Sequence, residues 1–406
     1  MNIGNEPVRP TTVSISLLGE RHNELIARAR TVAQIAKENA AAVDAEGRFP
    51  SQAFAEIRKQ RLLGAMIPKA LDGEGASLSE IVDVCYILGQ ACGSTGLIYA
   101  MHQVKIGCIV RHIKGNAAVE RILRRIATEQ LLMASSTTEG QAGGNIRASE
   151  AAIERHDDQV TLERKATVIS YAIDADGIVT TARRSAEAAS SDQVLLVLLK
   201  PDYTLERLNV WDALGMRGTS SEGFTLRVKA SAEQIMAEPY EKIHTQTMVP
   251  YAHLLWGAVW AGIAAAAATK AQLFIRHSMR HSNGQLPPAA AHFTQAASTL
   301  RTLRGVLASA LRSYEAVNGD EKALASLEFQ SMITLTKVQV SELALTTVLS
   351  AMRACGLSGY RNETEFSIGR HLRDVLSAPI MINNDRILSN LAATSLMTPL
   401  PASIGG

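Results

Sequence analysis

Between Leu18 and Ala42, apolar and polar residues recur with the three- and four-residue spacing of an amphipathic helix. A second helix is predicted over Ser51–Leu63, with Pro50 just ahead of it and Gly64 just past it. After the loop Pro68–Gly75, Ser77 and Glu80 have the spacing of a capping box, so the next helix starts there. Another begins near Ser94 and contains His102, and Ala117–Glu129 closes this helical stretch. Near residue 131 the pattern changes. Leu131–Ser136 is a short apolar run, and Gln159–Leu162, Gly177–Thr181 and Gln193–Leu199 have the length and β-branching of strands. Asp176-Gly177 and Asp202 supply turns between them. From His244 onward the helical pattern returns, with five helices predicted, the last over Asn384–Ala393. The predicted fold class is α+β, mainly α. It has an N-terminal helical domain (13–130), a middle, mostly antiparallel β domain (131–240) and a C-terminal helical bundle (241–395).

Composition narrows the functional classes. A chain of 406 residues exceeds one ordinary core, in keeping with two or three domains. With 47% hydrophobic residues and a formal charge of +2, it carries no electrostatic footprint for nucleic acid. Cys85, Cys92, Cys108 and Cys355 include no Cys-x-x-Cys pair, and three lie in apolar helical segments. Buried free thiols are therefore expected, with no disulfide and no metal site. Met1–Thr12 is polar and has no apolar core of a signal peptide, so a cytoplasmic location is the expectation. Leu254–Thr269 is uncharged, but it is short for a membrane span and rich in alanine. Small residues let helices approach closely, so a buried bundle helix is expected and no membrane span.

The segment Trp211-Asp212-Ala213-Leu214-Gly215-Met216-Arg217-Gly218-Thr219 joins the strand-rich middle to the helical C-terminal third. It resembles the W-x-x-x-G-M-R-G-T segment of the acyl-CoA dehydrogenase superfamily, flavoproteins that oxidise the alkyl chains of thioesters. Leu63-Gly64-Ala65-Met66-Ile67-Pro68 followed by Gly73-Glu74-Gly75 resembles that family's L-G-x-x-x-P…G-G-x-G loop, with Glu74 in place of a glycine. Gly93-Ser94-Thr95 and His102 fit as well, and the resemblance runs over about residues 45–390. It implies bound FAD, an acyl thioester substrate, an electron-accepting flavoprotein and a homotetramer, because the family builds each flavin site from two subunits.

Site residues follow position by position. Thr137–Asn145 resembles the V-T-E-P-G-A-G-S-D segment whose hydroxyls and backbone N–H groups bond the flavin. The matched residues are Thr138, Gly143 and Gly144; by themselves they also read as a glycine-rich turn. Val168-Ile169-Ser170 resembles the W-I-T strand, with Ser170 matching the threonine near flavin N5 and Val168 standing where a ring-covering tryptophan is usual. Arg280-His281-Ser282-Asn283-Gly284 resembles R-x-x-F-G, which would pair Arg280 with the FAD pyrophosphate of a neighbouring subunit. Arg353–Tyr360 resembles Q-x-F-G-G-x-G-F, with Arg353 for glutamine and with Gly356 and Gly359 kept. By residue type alone, both arginines equally suit a solvated helix face.

The catalytic position departs from the family. Oxidation of a thioester needs a carboxylate to take the α-proton. The family's glutamate, nine residues beyond the arginine of an R-D helix, aligns with Ile382 here, counting from Arg373. The following Gly-Thr is Asn383-Asn384, which puts Asn384 among the cofactor-side residues. An alternative glutamate position on an earlier helix aligns with Ala252. Asp385 and His253 are the nearest ionisable candidates for the base, although Asp385 also reads as a helix N-cap. Three readings stay open. One is a dehydrogenase acting on a CoA or carrier-protein thioester with a displaced base. The second is a monooxygenase or N-hydroxylase that uses reduced flavin, with FMN, a flavin reductase and histidines such as His102 and His371. The third is a non-catalytic relative.

Overall fold

The structure, a computed structural model, describes residues 20–139 and 147–397. Helices α1 (Glu20–Glu46), α2 (Ser51–Lys59), α3 (Leu78–Ala91), α4 (Gly93–His112) and α5 (Ala117–Glu129) come first. Strands β1 (Met133–Ser136), β2 (Glu154–His156), β3 (Gln159–Ser170), β4 (Gly177–Arg183), β5 (Gln193–Leu199), β6 (Tyr203–Asn209) and β7 (Ser221–Ser231) follow. The C-terminal part holds α6 (Tyr240–Ile243), α7 (Val249–His281), α8 (Ala290–Val317), α9 (Glu321–Ala325), α10 (Leu327–Tyr360), α11 (Gly369–Val375), α12 (Ser377–Ile380) and α13 (Asn384–Met397). The α+β class and the order of helices, strands and helices are those the sequence patterns imply.

Local chemistry explains several boundaries. Ser77 Oγ accepts from the Glu80 N–H at 3.3 Å while Glu80 accepts from the Ser77 N–H at 2.8 Å, completing the capping box of α3. Helix α2 stops at Lys59, short of the expected Leu63, because Arg61 turns into left-handed backbone with φ 55°. The strands form a three-stranded sheet ordered β1-β4-β5 and a four-stranded sheet ordered β2-β3-β7-β6. All pairs are antiparallel except β1 with β4, which run parallel. Every residue of β5 is buried, which accounts for its unbroken apolar run.

The alanine-rich helix α7 is the central element of the C-terminal bundle, packed on α3, α4, α8 and α10. Segments Tyr240–His281 and Leu327–Tyr360 are long and apolar enough to cross a membrane by length and composition, yet 67% of the first one's most apolar window is buried by packing. Its approach to α3 is a backbone contact. A Cβ on Gly89 would lie 2.5 Å from the Val259 carbonyl oxygen, and one on Gly262 would strike the Tyr86 carbonyl. All four cysteines are free and buried.

The Trp211–Ser221 segment joins the three parts. The Met216 N–H donates to Asp374 on α11 at 2.7 Å, Arg217 Nε donates to the Asp44 carbonyl on α1 at 2.8 Å, and the Tyr171 N–H at the end of β3 donates to the Thr219 carbonyl at 2.8 Å. Arg373 reaches from α11 to the Asp44 carboxylate (Nη1, 2.8 Å) and to the Leu214 carbonyl (3.1 Å). Gly215 sits so close to α11 that a Cβ there would collide with the Arg373 carbonyl oxygen. Gly215→Ala is therefore expected to push α11 away and to destabilise the protein by about 2–3 kcal/mol, the upper range for overpacking. A urea midpoint within error of the parent protein would contradict this role.

Candidate active site

A cavity of about 630 Å³ opens where the three parts meet. That volume lies within the ordinary range for small-molecule sites. One wall comes from strand ends that carry hydroxyls: Ser135 on β1, Thr137 and Thr138 just after it, Thr167 and Ser170 on β3, Ser221 on β7 and Thr219 just before it. Ser170 Oγ and Ser221 Oγ lie 2.8 Å apart, as do Ser221 Oγ and Thr219 Oγ1, and Thr219 donates on to the Met216 carbonyl at 2.8 Å. This relay orients the hydroxyl edge. The opposite wall is helical. It includes Leu97, Met101 and Val104 on α4, Trp256 on α7, and Leu376, Ile380 and Met381 near α12.

Met248, at the end of a single π-helical turn (His244–Met248), and Val249, the first residue of α7, reach the cavity. Such turns recur at functional sites because the extra residue re-aims side chains. Ala252 and His253 follow one turn later and also line the cavity. His253 is buried, and its Nδ1 lies 3.1 Å from the Ile333 carbonyl on α10. A carbonyl can only accept, so Nδ1 carries the proton and Nε2 keeps its lone pair. Burial lowers the ring's pKa to about 4, so the imidazole is neutral near pH 7.

The candidate residues divide into those at the cavity and those elsewhere. Thr138, Ser170 and His253 line it. Gly143 and Gly144 lie outside the described residues. Asp385 is exposed and outside the lining. The capping oxygen also belongs to a different residue: Asn383 Oδ1 accepts from the Asp385 N–H at 2.8 Å and the Arg386 N–H at 3.2 Å. Asn384 is buried between α10 and α13, accepting from Lys337 Nζ at 2.7 Å and donating to Glu342 at 2.7 Å. Lys337 also donates to the Ile382 carbonyl at 2.6 Å, which holds Ile382 in left-handed backbone, φ 51°. In this chain Asn384 thus shapes the turn beside the cavity rather than lining it. Arg280, Arg353 and Gly356 are exposed on the C-terminal bundle and outside the lining.

Both positions aligned with a glutamate, Ile382 and Ala252, line the cavity as apolar side chains. Among the described residues the lining contains no Asp or Glu. His102 and His371 are buried outside the lining. Both ring nitrogens of His102 serve the backbone: Nε2 donates to the Leu63 carbonyl at 2.9 Å, and Nδ1 accepts from the Met133 N–H at 3.0 Å. Asp374, whose pKa burial raises to about 6, is occupied by the Met216 N–H.

Two lining residues escape the motif comparison. Trp256 Nε1 is buried with no hydrogen-bond partner. Lys105 is 4% exposed and touches the Met248 sulfur at 3.5 Å. Burial lowers its pKa to about 8. A lone lysine inside Val104-Lys105-Ile106-Gly107-Cys108 is a visible sequence signal, since lysine is seldom fully buried unless paired.

The same architecture is found in known proteins. Residues 19–130 match the family "Acyl-CoA dehydrogenase, N-terminal domain". Over 365 residues, 88% of this chain and 92% of the relative, the sequence is 26% identical to cyclohex-1-ene-1-carbonyl-CoA dehydrogenase of Geobacter metallireducens. The chain carries the N-terminal domain of the acyl-CoA dehydrogenases, and the remainder is similar to proteins of that superfamily. The butyryl-CoA dehydrogenase of Megasphaera elsdenii superposes with a TM-score of 0.77 at 16% identity, over 94% of this chain and 99% of that one. FMN-bound TdsC of Paenibacillus sp. A11-2, a dibenzothiophene monooxygenase, superposes with a TM-score of 0.81 at 16% identity, over 93% and 98%. At these identities the two superpositions show the acyl-CoA dehydrogenase fold and do not choose between the two chemistries.

Proposed function

We propose that this protein is an FAD-dependent oxidoreductase of the acyl-CoA dehydrogenase superfamily that removes two hydrogens from the α and β carbons of an acyl thioester, carried by CoA or a carrier protein. The observation that carries this reading is the two-sided cavity. Its strand wall offers a row of hydroxyls to a planar polar edge, and its helix wall offers apolar side chains to an extended chain. The residues present fit a flavin: Thr138 and Ser170 would hold the ring edge, and the buried Trp256 N–H supplies a donor with no partner of its own. When bound, the flavin supplies the two-electron acceptor for hydride from the β carbon.

The chain's own contribution is to orient the thioester, exclude water and accept the α-proton. His253 is the neutral lone-pair base at the cavity, one residue from Ala252, and its ring is fixed by the Ile333 carbonyl. Exposed Arg280 and Arg353 suit the diphosphate of a flavin held across a subunit boundary in a homotetramer. An electron-transferring flavoprotein would then reoxidise the enzyme. In this reading α7 is a core helix, and the protein works in the cytoplasm.

The absence of a carboxylate from the described lining favours a second reading, a monooxygenase or N-hydroxylase fed by a flavin reductase and FMN. Product analysis separates the two. Incubating the flavin-loaded protein with thioesters and an artificial electron acceptor, without oxygen, should yield a product two hydrogens lighter. Product that forms only with oxygen and a reductase, and that has gained an oxygen atom, would replace the first reading with the second.

A further inference from the structure

We propose that the substrate carries a second, anionic group, a carboxylate at the far end of its acyl chain, and that Lys105 receives it inside the cavity. This rests on the thioester reading above and adds the substrate class.

The argument begins with a charge that has no counter-charge. Lys105 sits on the buried face of α4 at 4% exposure, and its ammonium meets the Met248 thioether at 3.5 Å. A thioether is a weak acceptor and leaves the other ammonium hydrogens unmatched. Two other buried cations among the described residues have oxygen partners. Arg164 lies 3.1 Å from the Glu139 carboxylate, and Lys337 donates to the Ile382 carbonyl and the Asn384 side chain. The groups that act electrostatically on Lys105 are the Cys108 thiol on its own helix and the His244 ring, and neither is a carboxylate. Residues 140–146, Gly-Gln-Ala-Gly-Gly-Asn-Ile, contain no acid either.

An isolated buried ammonium costs a fold several kcal/mol, and a methionine or leucine of similar size would pack the same space without that cost. The position makes sense when the missing partner arrives with the substrate. The cavity has two unmatched donors, Lys105 Nζ and Trp256 Nε1, and no carboxylate among its described lining, so its polar complement is a molecule rich in acceptors. Leu97, Met101 and Val104 lie on the same helix as Lys105 and line the apolar path beside it. That combination suits methylenes ending in a carboxylate.

The test is calorimetric binding of four thioesters to the flavin-loaded protein: glutaryl-CoA and adipyl-CoA, and their uncharged length-matches valeryl-CoA and hexanoyl-CoA. The parent protein is expected to bind the carboxylated pair at least about tenfold more tightly. K105M should weaken that pair by roughly 100-fold, the scale for removing one partner of a buried charge pair, and change the uncharged pair only a few-fold. K105M should also melt at a higher temperature than the parent without ligand, which shows that it folds. Equal binding of both pairs, or a preference that survives in K105M, would overturn this inference and leave the thioester reading intact. Binding of none of the four would sink both.

Discussion

Acidification from pH 6.5 to pH 4 is expected to remove most of the protein's stability. His102, His244 and His253 are buried as neutral rings, with pKa values lowered to about 4, 3 and 4 chiefly by burial. In the unfolded chain each takes a proton near its ordinary value of about 6.5. The unfolded state therefore binds more protons over this window. The stability these groups contribute is fully present above about pH 6.5 and is lost as pH falls through the folded values. Displacements of this size correspond to roughly 3–5 kcal/mol per histidine, and three such groups together rival the stability of a typical domain. His102 carries a further geometric reason, because a proton on Nδ1 would face the Met133 N–H that now donates to it. Urea midpoints across pH 7.5 to 4 should fall steeply below about pH 6. A midpoint that stays level to pH 4.5 would contradict the neutral, buried assignment.

His253→Gln is expected to lower kcat by about 10²- to 10⁴-fold, the usual range for losing a positioned base, while flavin content and thioester binding are retained. Glutamine keeps a donor for the Ile333 carbonyl and most of the side-chain volume, so the helix contact survives and the lone-pair nitrogen is lost. The pH profile carries an independent signature. Because the ring stays neutral down to about pH 4, His253 adds no ionisation limb to the parent's rate between pH 6 and 8, and the loss in the variant should be the same across that range. A kcat loss under tenfold would remove His253 from the chemistry.

Much of the fold is legible in the sequence because its signals are local. The Ser77–Glu80 capping box, the buried run of β5 and the uncharged stretch of α7 each state their environment directly. β6 and β7 are less so: they alternate with charges such as Glu206, Arg207, Arg227 and Lys229, and their pairing across the sheet is long-range. At the site, motif position singles out Thr138, Ser170, His253, Ile382 and Ala252, and all five line the cavity. Asp385, chosen the same way, sits in the first turn of α13 on its exposed side, next to buried Asn384 and outside the lining. Motif position misses Lys105 and Trp256, whose importance depends on what surrounds them in space rather than on neighbours in the chain. Arg280, Arg353 and Gly356 lie exposed on the C-terminal bundle, away from the cavity.

The most direct test of the proposed function is an anaerobic titration of the flavin-loaded protein with acyl thioesters, followed by the visible absorption of the oxidised flavin. Loss of that band on adding a thioester, in parent protein and not in His253→Gln, is the expected result. A band that no thioester bleaches would contradict dehydrogenation and leave the oxygen-dependent chemistry in its place.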